Sequence, residues 1–217
     1  MKLALFDCDG TLVDSARLIH EVMARTFDAF ALPRPAFEDT KAIIGLTLDI
    51  AIARLLGAPH VDSRASAMAE HYKSIFAPVR AAGFAEPLFS GIADMMAALA
   101  TREDLLIGAV TGKSRRGLDV IATAHGFDKT FVVSRTADDC PSKPHPAMVT
   151  ECCLETGIDP RDTTVIGDAI YDMQMAKSAG AMAVGVAWGY ASVPQLVEAG
   201  ADLIVKDPRE ITALLLG

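Results

Sequence analysis

Leu3-Ala4-Leu5-Phe6-Asp7-Cys8-Asp9-Gly10-Thr11-Leu12 sets a short apolar run directly against two carboxylates. Such a run, bounded by polar residues and a glycine, reads as a strand buried on both faces. Asp7 and Asp9 stand two residues apart at its carboxyl end. They can converge on one ion once the strand gives way to an irregular turn, and Gly10 lets the backbone make that turn. A hard divalent cation such as Mg²⁺ is held by a few carboxylates together with phosphate oxygens and water. By itself a D-x-D pair is equally at home in a solvated turn. The strand before it and the Gly-Thr after it favour the ion.

Further short runs of the same kind occupy residues 106–110, 130–133, 164–166, 183–186 and 203–205. Helical patterns separate the later ones, over residues 115–125, 146–156, 171–179, 193–198 and 208–215. Strands alternating with helices predict a parallel sheet covered on both faces, an α/β doubly wound core of the Rossmann-like kind. Ligands on such sheets sit at the carboxyl ends of strands. The alternation fails once. About 100 residues separate Phe6 from Leu106, where a crossover needs only about a dozen. Most of that stretch carries apolar residues at helical spacing, as in Leu18, Val22, Met23 and Phe27, or Met68, Tyr72, Ile75 and Phe76. The expected architecture is a core of residues 1–13 and 86–217 with an all-helical insertion over residues 14–85. Pro87 and Gly91 suit the re-entry joint, before a return helix over residues 91–101.

Three more segments end at the same sheet edge. Thr111 and Gly112 follow the second strand, offering a hydroxyl and an unobstructed N–H to a phosphate oxygen at the start of the next helix. The alternative is that Thr111 merely caps that helix. Lys143 lies in Cys140-Pro141-Ser142-Lys143-Pro144-His145-Pro146, whose prolines fix the backbone. A lone loop lysine is ordinarily solvated. Asp168 ends another strand, and Asp172 lies one turn into the following helix on the same side. An acidic residue there also suits the helix dipole. Gly112-Lys113-Ser114 suggests a phosphate-binding P-loop, but that motif needs a glycine at position 107, which is isoleucine. Each segment is ambiguous alone. Together they gather Asp7, Asp9, Asp168 and Asp172 with Thr111 and Lys143 in one crevice, an excess of like charge that is unfavourable without a cation.

The chain as a whole narrows the classes. Its 217 residues and 51% hydrophobic content suit a core domain with a smaller insert. A formal net charge of −8 argues against nucleic acid and membrane surfaces as partners, since both call for basic protein surface. An anionic substrate would then need local positive charge from a metal or a few lysines. Asp7 interrupts the first apolar run too early for a secretory signal. No run approaches the roughly 18 apolar residues of a membrane span. Cys8, Cys140, Cys152 and Cys153 form no C-x-x-C pair, so the expectation is reduced thiols in a cytoplasmic protein.

Asp7-x-Asp9-Gly10-Thr11, then Thr111-Gly112-Lys113, Lys143-Pro144 and Gly167-Asp168-x-x-x-Asp172, in that order, resemble the four motifs of the haloacid dehalogenase-like hydrolase superfamily. The likeness runs the length of the chain. The helical insertion directly after the first motif is similar to the small cap of the phosphoglycolate phosphatase-like branch. The resemblance implies a Mg²⁺-dependent phosphatase. Asp7 would attack phosphorus to give an aspartyl phosphate. Asp9 would protonate the leaving oxygen and then deprotonate the hydrolytic water, with its backbone carbonyl on the metal. Thr111 and Gly112 would bind phosphoryl oxygens, and Lys143 would balance charge on nucleophile and phosphate. Asp168 would ligate Mg²⁺, and Asp172 would ligate through water or orient the metal's surroundings.

The substrate so implied is a small phosphorylated metabolite, with 2-phosphoglycolate the first candidate. Sugar-phosphate, nucleotide and pyrophosphate phosphatases, a phosphomutase, and a non-catalytic binding protein are the alternatives. Intact Asp7, Asp9, Lys143 and Asp168 weigh against the last. Asp9 weighs against dehalogenase chemistry, because the dehalogenases of the superfamily lack an aspartate two places after the nucleophile. Hexose-phosphate mutases usually carry a cap arginine where this chain reads Ile43-Ile44-Gly45-Leu46-Thr47, which weighs mildly against them. The motifs read only the phosphoryl group, so substrate choice is expected from the cap face over Asp7. The Gly45-Leu46-Thr47 turn, Lys73 and Arg80 are the candidates there, and residues 14–15 and 84–87 the expected hinges.

Overall fold

The computed structural model describes residues 1–217. Its strands are β1 (Lys2–Phe6), β2 (Leu105–Val110), β3 (Val133–Arg135), β4 (Thr163–Gly167), β5 (Met182–Val186) and β6 (Leu203–Val205). They form one sheet in the order β3-β2-β1-β4-β5-β6, with every neighbouring pair parallel. Strand order reverses at β1, which has β2 on one side and β4 on the other. Ligands of open parallel sheets bind in the crevice at that reversal.

The two-residue period of a strand sends successive side chains to opposite faces. Ala4 and Phe6 of β1 therefore join Ile107, Ile166 and Val184 beneath α5 (Ile92–Leu99) and α10 (Pro208–Leu216). Leu3 and Leu5 join Val133 and Val165 beneath α7 (Ala147–Thr156) and α8 (Ile170–Ala179). α6 (Arg115–His125) follows β2, and α9 (Val193–Glu198) follows β5. This is the α/β doubly wound, Rossmann-like core expected from the alternation of runs.

The third strand begins later than its apolar run suggests, at Val133 rather than residue 130. The Phe127 carbonyl accepts the N–H groups of Thr130 and Phe131 at 2.9 and 3.2 Å. The Phe127 and Phe131 rings meet edge-on, 5.7 Å between centroids. The first part of the run thus forms a turn whose aromatic residues cover the core before pairing with β2 begins.

Between β1 and β2 the chain forms α1 (Ala16–Ala29), α2 (Phe37–Ile43), α3 (Leu48–Leu55) and α4 (Ser63–Ala81). Their apolar faces close on a separate cluster that includes Leu18, Val22, Phe27, Ile52, Met68 and Tyr72. Asp62 caps α4 by accepting the Ala65 N–H at 2.8 Å. Ala169 and Tyr171, from the core, enter the same cluster, and Arg54 Nη1 donates to Tyr171 Oη at 2.6 Å. The outgoing and returning chain segments run side by side. Val13 bridges antiparallel to Leu88, and the Asp14 N–H donates to the Pro87 carbonyl at 2.8 Å. No helix is long and apolar enough to cross a membrane.

Candidate active site

Asp7 continues β1 beyond Phe6, its N–H held by the Ile166 carbonyl of β4 at 2.9 Å. Its side chain is 1% exposed. Lys143 Nζ lies 2.9 Å from Asp7 Oδ1 as an ion pair and donates to Asp172 Oδ1 at 2.6 Å. Lys143 is fully buried, so the solvated state usual for a lone loop lysine does not describe it. Asp172 also accepts the Ala169 N–H at the start of α8, at 3.0 Å. It serves the helix terminus and the lysine at once. Asp7 Oδ2 has no partner, and Oδ1 has the Lys143 ammonium alone. Burial, opposed by the Lys143 ammonium and reinforced by the Asp172 and Asp9 carboxylates, pushes Asp7 up to about 7.

Asp168 lies beyond β4 on the other side of Asp7. Thr11 Oγ1 donates to Asp168 Oδ1 at 3.0 Å, and the Tyr190 N–H donates to Oδ2 at 2.8 Å. Burial, with the charges of Asp7 and Asp172, pushes this carboxyl well above its ordinary value. The chain packs tightly round it. A Cβ at Gly10, where φ is +83°, would stand 2.2 Å from Asp168 Oδ2, so the glycine is required by both conformation and space. One oxygen each from Asp7, Asp168 and Asp172 lies within 4.8 Å of the others. Three buried carboxylates crowd together beside one lysine, which pairs with Asp7 and Asp172 and not with Asp168, and Asp7 Oδ2 has no partner. That donor set fits a hard divalent cation, which would take up the unpartnered oxygen and the surplus charge.

Asp9 is set apart from this cluster. Its Oδ1 accepts from Ser15 Oγ and lies 2.9 Å from Lys113 Nζ. Lys113 also donates to Glu86 Oε1 at 2.8 Å. Burial would lower the lysine, but the Asp9 and Glu86 carboxylates outweigh it and hold its pKa above the ordinary value.

Thr111 is fully buried at the end of β2. It does not cap α6, because Ser114 does so by accepting the Gly117 N–H at 3.2 Å. The Thr111 hydroxyl accepts the Lys113 N–H at 3.2 Å. The Gly45-Leu46 turn lies directly on Gly112: a Cβ there would stand 2.7 Å from the carbonyl oxygens of both Gly45 and Leu46. The Thr47 N–H, a candidate for substrate, is already donated to Ser142 Oγ at 3.0 Å. Lys73 pairs with Glu70 at 3.0 Å among exposed side chains, and Arg80 pairs with Glu86 at 3.1 Å.

All the motif residues thus gather at the carboxyl edge of β1, β2 and β4. Thr11, Ser15, Glu86, Lys113 and Tyr190 join the site as well. Thr11 and Lys113 stand inside quoted motifs, and Ser15 and Glu86 flank the two chain crossings, so adjacency could have found them. Tyr190 carries no local signal; only the fold brings it to Asp168.

The profile of a family described as haloacid dehalogenase-like hydrolase matches residues 4–186. A Dickeya dadantii protein named "Probable phosphatase IndB" is 31% identical, over 96% of this chain and 91% of its own. A phosphoglycolate phosphatase of Pasteurella multocida is 27% identical, over 99% and 98% respectively. The crystal structure of a hydrolase from Pseudomonas syringae superposes with a TM-score of 0.85 at 24% identity, covering 99% of this chain and 98% of that one. The chain belongs to the haloacid dehalogenase-like hydrolases, in their phosphoglycolate phosphatase-like branch, and is a phosphoric monoester hydrolase.

Proposed function

We propose that the chain is a Mg²⁺-dependent phosphatase that hydrolyses a small phosphorylated metabolite through an aspartyl phosphate on Asp7. The observation that carries this reading is the Asp7 carboxylate itself: buried, with Oδ2 unpartnered, paired through Oδ1 with Lys143 alone, and close to Asp168. Asp7 attacks phosphorus. Asp9 gives its proton to the leaving oxygen as the P–O bond breaks, then takes one from the water that attacks the aspartyl phosphate. The Thr111 hydroxyl and the Gly112 N–H hold phosphoryl oxygens. Lys143 favours the ionised form of Asp7 against the effect of burial and offsets the charge of the phosphate. Asp7, Asp168 and the Asp9 backbone carbonyl would hold Mg²⁺. Asp172, with both oxygens engaged by Lys143 and Ala169, acts on its surroundings. The ion supplies positive charge that relieves repulsion between a carboxylate nucleophile and a phosphate dianion.

Residues 14–85 act as a cap moving about joints at 14–15 and 84–87, closing over the edge of β1 to exclude water. The four buried, unpaired cysteines favour a reducing, cytoplasmic setting. 2-Phosphoglycolate heads the candidate substrates through the relatives that bear its name. The test is a Mg²⁺-supplemented screen of phosphorylated metabolites with wild type and Asp7→Asn. We expect turnover of small phosphate monoesters by the wild type alone. 2-Phosphoglycolate should exceed hexose phosphates, pyrophosphate and nucleoside monophosphates in kcat/KM. Activity in purified Asp7→Asn would refute the nucleophile. A low rank for 2-phosphoglycolate would refute only the substrate.

A further inference from the structure

Glu86 lies outside every motif, on the segment returning from α4 to the core, yet its side chain is only 2% exposed. Its two oxygens are divided between the domains. Oε1 lies 2.8 Å from Lys113 Nζ, on the core loop after β2, and Oε2 lies 3.1 Å from Arg80 Nε, on cap helix α4. His125 Nε2 pairs with the Glu86 backbone carbonyl at 3.0 Å, fixing the segment against α6. Lys113 in turn stands between Glu86 and Asp9, 2.9 Å from Asp9 Oδ1, with the Phe76 ring of α4 5.8 Å from its ammonium. Asp9 meets its other partner, the Ser15 hydroxyl, from the outgoing crossing.

The Asp9 carboxylate is therefore held by one group from each chain crossing, directly by Ser15 and through Lys113 by Glu86. A lysine ammonium is a compact charge on a flexible stem. Facing Asp9 alone, it would collapse into a simple ion pair and draw the carboxylate with it. Shared between two carboxylates, it has one defined position. We propose that Glu86 is a positioning residue for Asp9: through Lys113 it aims the Asp9 carboxyl at the leaving oxygen, so that Asp9 is set for proton transfer only when both crossings are seated. This rests on the reading of Asp9 as the general acid. In the step concerned the Asp7–phosphorus bond forms, the bond from phosphorus to the leaving oxygen breaks, and the Asp9 proton moves to that oxygen, leaving Asp9 as carboxylate.

The experiment compares two substrates with saturating Mg²⁺, with thermal unfolding as the fold control. β-Glycerophosphate has an alkoxide leaving group that needs a proton; p-nitrophenyl phosphate has one that departs without it. The quantity compared is kcat/KM, which reports the steps up to leaving-group departure. Asp9→Asn calibrates the readout and should lose far more on the alkyl ester. Glu86→Gln should follow the same pattern, falling by about 10- to 100-fold on β-glycerophosphate but by less than about threefold on p-nitrophenyl phosphate. Glu86→Asp, which keeps the charge with a shorter reach, should show the same selectivity at smaller amplitude. It carries the comparison if Glu86→Gln fails to fold. Equal losses on both esters, or none on the alkyl ester, while Asp9→Asn stays selective, overturn the role of Glu86 and leave the phosphatase reading standing. An Asp9→Asn variant without selectivity overturns the general-acid reading and this proposal with it.

Discussion

Lys143 Nζ stands 2.9 Å from Asp7 Oδ1, and both side chains are sealed from solvent. An ammonium in such a place is the only cation the chain itself offers to the Asp7, Asp168 and Asp172 carboxylates. Removing one partner of a buried pair leaves the other uncompensated, which ordinarily costs about 3–5 kcal/mol. Lys143→Met should destabilise the protein by that order in urea unfolding with EDTA present, and turnover should be lost. Mg²⁺ should recover part of the stability and none of the turnover. An unchanged unfolding midpoint in EDTA would show that the carboxylates do not depend on Lys143.

The metal makes a second claim that can be checked without turnover. A ligand that binds only the folded state at about 100 times its Kd adds about 2.7 kcal/mol. Mg²⁺ should therefore raise the unfolding temperature of the wild type, and Asp168→Asn should largely abolish the rise. EDTA should stop hydrolysis and Mg²⁺ restore it. Ca²⁺ should inhibit, because its looser coordination misplaces the nucleophile. Turnover that survives exhaustive chelation would refute the metal.

Gly112 tests how closely the cap approaches. Its φ is ordinary, so alanine is tolerated by the backbone. The added Cβ would meet the Gly45 and Leu46 carbonyl oxygens at 2.7 Å, and both belong to backbone that cannot rotate away. Gly112→Ala should fold normally, raise KM, and speed hydrogen exchange at residues 45–47. Unaltered KM and exchange would mean that the turn does not rest on Gly112 in solution.

Much of this is legible in the sequence. Apolar runs of three to five residues set the strands, because a strand covered on both faces needs no alternation. The long gap after Phe6 set the insertion. The motif residues converged because Asp7, Thr111 and Asp168 each follow a strand at the same sheet edge, with Lys143 before α7 and Asp172 in the first turn of α8 brought to them. What stayed hidden depended on long-range packing. Lys143 reads as a solvated loop lysine until α8 brings Asp172 to within 2.6 Å. Thr111 reads as a helix cap until Ser114 is seen in that role. Phe131 reads as strand until its ring is found against Phe127. Arg80 and the Thr47 N–H read as free for substrate until Glu86 and Ser142 are found paired with them.

Tyr190 links the two halves of the site through one residue. Its N–H donates to Asp168 Oδ2 at 2.8 Å, and its hydroxyl oxygen accepts the N–H groups of Ser15 and Ala16 at 2.9 and 3.0 Å. The phenol thus holds the first crossing between sheet and helical insertion against the loop that frames Asp168. Tyr190→Phe keeps the ring and the backbone bond to Asp168 but leaves two amides without an acceptor. A lost acceptor of this kind costs about 1–3 kcal/mol, which corresponds to roughly ten- to hundredfold faster exchange of amides that open locally. Exchange should quicken at residues 14–16 and not in β1 or β4. Affinity for Mg²⁺, read by thermal shift, should change little, because the bond to Asp168 is made by the main chain. If residues 14–85 close over the site as proposed, kcat/KM should fall several-fold as that closure loses this hold. Protection of Ser15 and Ala16 equal to wild type would show that the joint is held by other contacts, the Asp14 to Pro87 bond first among them.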